Sequence, residues 1–386
     1  MSKKRLFQAI ATLVGCMIGA GILGIPYVVA RAGFITGLIN IIVLGIIFTF
    51  IHLYLGEIAL RTKGNHQLTG YAEKYAGKTG KYFMFISMII GIYGALIAYI
   101  LGSGEALASI TGLQPMLCSF IFFGIISWLI YIGLDAIENS EAFAMPLVLI
   151  IVLLIFILSI GRVEGANLSG FSFSKMLVPY GVVLFAFIGC SAIPEVKEEL
   201  EKQKKDMKKA IIIGSIIPVV VYALFALAIV GVLGTETHAI GALGLAAILG
   251  EKMAFIGSLL AVLTMSTSFL ALGLALKELF MYDYNIRKNT SWLLACFIPF
   301  ILFLLLQLPA LKENATFTLV LEVTGIVTGA ITGILIVLMV MNAKKKGERK
   351  PEYSIYINKF IAFLLVIVFI IGALNLLLKI TGMKLW

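Results

Sequence analysis

Long apolar runs, interrupted only by short polar or glycine-rich stretches, fill this chain of 386 residues almost from end to end. Each run reaches the length of about 18 residues that a helix needs to cross a hydrocarbon core of about 30 Å. Read between the polar breaks, the runs predict eleven helices, at 7-30, 33-60, 82-110, 115-134, 141-160, 177-194, 209-234, 252-281, 291-309, 316-342 and 358-380. Two shorter features stand apart. EVKEELEKQKKDMKKA, residues 195-210, is the most polar stretch; its mixed charge at helical spacing predicts a solvated helical link between two spans rather than an interaction tail. HAIGALGLAAILG, residues 238-250, is apolar but too short to span, and its length suits a helical flap over the outer mouth.

Composition turns this pattern into a class. The chain is 61% hydrophobic and 13% charged, with a mean hydropathy of +1.07, against about 45–50% apolar and 25% charged in an average soluble domain. An integral membrane protein is expected, with the lipid bilayer as its main surroundings and little room for a soluble domain. The first apolar run is long and lacks a small-residue cleavage site, so no cleavable signal peptide is expected. All but seven of the 30 basic residues fall on alternate loops, which puts the amino terminus in the cytoplasm and the carboxyl terminus outside. The net charge of +10 follows from that topology and from anionic lipid, and implies no nucleic-acid partner. Cys16, Cys118, Cys190 and Cys296 all lie in apolar runs, and His52, His66 and His238 share no helical face, so neither a disulfide framework nor a metal site is expected.

The first span contains GCMIGAGILGIP, residues 15-26, rich in the residues that most weaken a helix. FAFIGCSAIPE in the sixth span, residues 185-195, places Gly189 on Gly21 and Ile193-Pro194 on Ile25-Pro26 at an offset of 168 residues. Five spans lie between the start of the first and the start of the sixth, and this odd number inverts the second copy in the membrane. Gly15 and Gly19 would also suit plain helix packing. Matched interruptions in both halves instead point to a secondary transporter with its site at the midplane. Broken helices survive in lipid only where something satisfies the exposed backbone groups.

Beyond the first break, free N–H groups at Gly19, Ala20 and Gly21 would favour a carboxylate, and glycine permits close approach. Carbonyls of Cys16, Met17 and Ile18, and of Leu184, Phe185, Ala186 and Phe187, would favour an ammonium or a metal cation. A ligand carrying both charges is an amino acid. Thr264, Thr267 and Ser268 share one face of the eighth span and, with the carbonyls of Gly15 and Ile18, would form an oxygen cage for sodium. The same hydroxyls would also serve by bonding their own helix. Among the few ionisable residues within spans, Glu57, Glu105 and Glu322 are gating or proton candidates; Glu57, near the cytoplasmic end, would equally pair with a loop lysine. Nothing resembling a hydrolytic or redox site accompanies them, which argues against an enzyme.

GAGILGIP, FAFIGCSAIPE with its basic link, TSFLALGL in the eighth span and EIALRTKGNHQLTGYAEKYAG after the second together resemble the amino acid/auxin and hydroxy/aromatic amino acid permeases. These groups lie within the amino acid, polyamine and organocation superfamily. The resemblance implies an all-α leucine-transporter fold with a 5+5 inverted repeat plus one helix, helices 1 and 6 being broken at mid-membrane. Residues 1-160 would form the first repeat, 161-343 the second, and 344-386 a cytoplasmic link and last helix. It also implies that Gly19, Ala20 and Gly21 hold the substrate carboxylate and that Leu184, Phe185, Ala186 and Phe187 meet its amino group and side chain. Gly15, Ile18, Thr264, Thr267 and Ser268 match a sodium site, and Tyr93 is a candidate aromatic that closes over substrate. Some relatives replace that sodium with a lysine on the fifth span, which this chain lacks, so sodium is favoured over proton as coupling ion, with at most one bound. The expected function is cation-coupled amino acid symport; the alternative is a receptor-like amino acid sensor of the germinant-receptor type.

Overall fold

A computed structural model describes residues 2–132, 137–245, 250–312 and 316–381. Among the described residues, ten helices are long and apolar enough to cross a membrane, and one bent pair brings the number to eleven. That pair is the first expected span: α1 (Ser2–Met17) and α2 (Gly21–Ala32) meet at 53°. At the bend Gly19 N–H turns back to the Met17 carbonyl at 2.9 Å, which ends the helical ladder. Helices α3 (Phe34–Arg61), α4 (Leu68–Thr111), α5 (Pro115–Ile132) and α6 (Ile137–Ser159) complete the first half. The last residues of the expected fourth span, 133-134, lie outside the described residues.

The sixth span is interrupted too. Helix α7 (Tyr180–Phe187) stops where Ile188 turns extended (ψ 97°), a short tight turn covers Cys190–Ala192, and α8 (Ile193–Glu199) restarts with Pro194 in its first turn. Proline there loses no helical bond. Then follow α9 (Met207–Leu233), α10 (Glu251–Glu278), α11 (Lys288–Leu306), α12 (Phe317–Lys346) and α13 (Lys359–Ile380). Helix α12 is central, packing on α3, α4, α7 and α13. Its small residues make this possible: a methyl group on Gly329 would meet Leu184 at 2.5 Å, and one on Gly325 would run into the Gly181 carbonyl. Close backbone approach replaces the hydrophobic drive that lipid does not supply.

Three segments depart from expectation. Helix α4 begins well before the expected 82-110, because a separate helical segment at residues 68-76 precedes it across a kink at Gly77 (φ 75°). The space around Gly77 is open, so the left-handed backbone alone requires glycine there. The stretch 195-210 is not a continuous solvated helix: it becomes a tighter turn over Glu201–Asp206, kinked at Gln203. Val196, Leu200 and Met207 are wholly buried and Lys197 is only 5% exposed, so the link is held against the bundle. The expected flap at 238-250 shows a tight helical turn at Gly241–Leu245; 246-249 lie outside the described residues. That turn sits on α2, where a methyl on Gly241 would stand 2.9 Å from the Pro26 ring.

Candidate functional site

The two interruptions face each other. Cys16 Sγ at the end of α1 lies 3.4 Å from Ser191 Oγ in the second break, and Thr12 Oγ1 donates to Glu199 Oε1 of α8 at 2.8 Å. A methyl on Gly189 would stand 2.7 Å from the Met17 side chain, and one on Gly21 would stand 2.6 Å from Ala186 Cβ. Helices α2 and α7 therefore touch almost backbone to backbone. From α9 the buried Tyr222 hydroxyl donates to the carbonyls of Met17 at 2.7 Å and Ala186 at 2.8 Å, one from each broken helix. Met17, Ile18, Ala20, Leu184, Ala186 and Phe187 are buried, whereas Phe185 is half-buried against the same core.

A second layer comes from α4 and α10. A methyl on Gly19 would lie 2.9 Å from Ser268 Oγ and 3.4 Å from the Tyr99 hydroxyl, so both hydroxyls stand against the first break. Thr264 donates its proton to Leu260 and Ala261 carbonyls, and Thr267 to those of Leu263 and Thr264. Each proton thus stays on the helix, leaving the oxygen lone pairs as acceptors.

The remaining candidates lie elsewhere. Tyr93 donates to the Leu294 carbonyl of α11 at 2.9 Å, so Tyr99, not Tyr93, is the α4 tyrosine at the break. Glu322 is paired with Lys379 of α13 at 2.7 Å. Glu105 lies within electrostatic reach of His238, at the base of the turn over α2. Glu57 is wholly buried and accepts from Arg61, Lys344, Ser354 and the Ile355 N–H. These partners place Glu57 in an ion-pair network with the segment before α13, away from the breaks.

A profile built from tryptophan/tyrosine permeases matches residues 2–377. The chain belongs to the tryptophan/tyrosine permease family. As a member of that family it is 27% identical, over 227 residues, to tyrosine-specific transport system 1 of Haemophilus influenzae, covering 57% of this chain and 56% of that protein. It is also 27% identical, over 247 residues, to spore germination protein A2 of Bacillus subtilis, covering 60% of this chain and 64% of the relative. The matched segments thus fall short of two thirds of either relative's length. Among solved structures, MhsT in complex with L-phenylalanine matches with a TM-score of 0.69 at 16% identity, over 95% of this chain and 97% of that one. The leucine-transporter fold implied by the sequence motifs is therefore the observed fold.

Neither Tyr222 nor Tyr99 is marked by any motif in the sequence. The available signal was chemical: a phenol deep in an apolar span must find a partner for its hydroxyl. What the sequence does not reveal is that the partner of Tyr222 is the pair of breaks.

Proposed function

We propose that this permease is a secondary active amino acid transporter and not an enzyme, coupling uptake to sodium in preference to protons. The observation that carries the reading is the meeting of two interrupted helices through Cys16–Ser191 and Gly21–Ala186. Of the N–H groups expected to hold the substrate carboxylate, that of Gly19 is taken by the Met17 carbonyl, and those of Ala20 and Gly21, leading into α2, would hold it. The carbonyls that close α1 and α7 suit the amino group. Thr264, Thr267 and Ser268 offer oxygens for one sodium ion together with the carbonyls of Gly15 and Ile18. The amino terminus is cytoplasmic and the carboxyl terminus outside, and the repeats at residues 1-160 and 161-343 rock against each other, with 344-386 as link and last helix.

Uptake of a labelled amino acid mixture into proteoliposomes, with sodium and pH gradients imposed separately, tests this. Accumulation driven by the sodium gradient is expected, and no gradient-driven accumulation of any amino acid would overturn it. The likeness to spore germination protein A2 favours one second reading, a sensor that binds an amino acid without carrying it. Retained binding with no counterflow exchange would select that reading.

A further inference from the structure

At the end of the bundle that carries the basic loops, three segments distant in sequence close around a cavity of about 200 Å³. They are the loop after α3, with Thr62, Gly64 and Asn65, the link after the second break, with Lys197 and Lys204, and the segment after α12, with Arg349. Glu201 is the one acid in its lining, against four bases including Lys63. The volume is several times the ~30 Å³ share of a water molecule and accommodates one tetrahedral oxyanion.

Lys197 is what separates this cavity from a patch of solvated surface charge. It is only 5% exposed, yet its ammonium faces no carboxylate within ion-pair distance among the described residues. Two of its N–H bonds go to the Gly64 carbonyl at 2.5 Å and the Tyr71 hydroxyl at 3.5 Å, and an ammonium carries three. Lys204 and Arg349 act on it with like charge, which Glu198 and Glu201 offset only in part. Lys204 forms no ion pair among the described residues. Arg349 is braced by the Leu60 carbonyl and Glu352. Glu201 in the lining and the Glu352 held by Arg349 balance these cations only in part, so a further anion would stabilise the buried Lys197.

We propose that this cavity binds one phosphate-type oxyanion, held by Lys197, Lys204 and Arg349. The occupant would bridge α8, the loop after α3 and the segment leading to α13. Free phosphate and the headgroup of an anionic lipid share the chemistry, since a multiply charged tetrahedral anion matches several convergent donors.

The test uses the full chain in detergent and reads binding on the resting protein, so its result stands whether or not the chain transports amino acids. Equilibrium dialysis against radiolabelled inorganic phosphate, with chloride matching the ionic strength, should show a single site. Lys204→Gln, which leaves the fold's hydrogen bonds intact, should weaken it by roughly tenfold. In a second arm, unfolding is followed in vesicles of phosphatidylcholine with and without phosphatidic acid. Protection by phosphatidic acid that disappears in Lys204→Gln, with no binding of free phosphate, identifies the headgroup as the source. Absence of both effects, or effects that Lys204→Gln leaves unchanged, overturns the proposal.

Discussion

The Tyr222 hydroxyl stands 2.7 Å from the Met17 carbonyl and 2.8 Å from that of Ala186, so one phenolic proton serves the ends of both interrupted helices. Both carbonyls sit where the chain leaves its helix, and the Met17 carbonyl also accepts from Gly19 N–H at 2.9 Å; no bulk solvent supplies a donor inside an apolar bundle. Tyr222 thus ties the geometry of one break to that of the other.

Tyr222→Phe removes a single oxygen and keeps the ring. It should lower stability by about 1–3 kcal/mol, chiefly through the Ala186 carbonyl because Met17 keeps the Gly19 N–H, and weaken amino acid binding by roughly tenfold. Unfolding in detergent and equilibrium binding of a labelled amino acid check it; unchanged binding would uncouple the hydroxyl from the site.

Gly21→Leu should abolish amino acid binding while the protein still inserts and purifies. Even its Cβ would stand 2.6 Å from Ala186 Cβ and 2.7 Å from Ala186 Cα, so the half-helices must separate. Normal affinity in a purified variant would show that the two need not touch.

Thr267→Ala and Ser268→Ala should each remove the stimulation of uptake by sodium. Both delete an oxygen from the α10 face, but only Ser268 also stands against Gly19 at the break. The serine variant should therefore also lose substrate affinity. Uptake measured at varied external sodium separates the two effects.

Glu57→Gln should destabilise the protein by about 3 kcal/mol, because Arg61 and Lys344 lose a buried counter-charge. Combining it with Lys344→Met should recover part of the loss. Thermal unfolding of the two variants decides; equal stability of Glu57→Gln and wild type would show that the network contributes nothing.

The contact between Lys74 and Glu348, with the Lys63 N–H also donating to that carboxylate, holds Glu348 below the usual carboxylate range. A depressed folded-state pKa stabilises above the ordinary carboxylate value and loses that contribution as pH falls through the lower one. Glu348→Gln should therefore flatten the acid limb of a stability profile and leave its slope near neutrality unchanged. Unfolding midpoints across an acid titration of both proteins would show this.

The spans were legible because an apolar stretch of about 20 residues has few homes other than a bilayer. The first break was legible because Gly15, Gly19, Gly21 and Gly24 crowd a run that a helix would fill more stably otherwise. Lys197 was hidden for the opposite reason. In EVKEELEKQKKD it looks like any lysine on a solvated face, and only the chain's return past Gly64 and Arg349 buries it. The break at Gly77 was not legible, because one glycine among charged residues carries no pattern. Tyr222 and Tyr99 resemble packing aromatics, and their roles arise from helices more than a hundred residues away in sequence from one another.

The segment between α12 and α13 bears on where this chain can be shortened. Tyr353 donates to the Leu53 carbonyl, Arg349 to that of Leu60, and Ser354 and Ile355 to Glu57. Stopping the chain after Lys346 would strip these donors from α3 and leave Glu57 with only Arg61 and Lys344. A truncation that retains residues up to Ile357 would keep every one of them while still discarding the last helix. For fusions and trimmed variants the natural boundary therefore lies at Asn358, whose side chain caps α13 at Ile361, and not at the end of the tenth span.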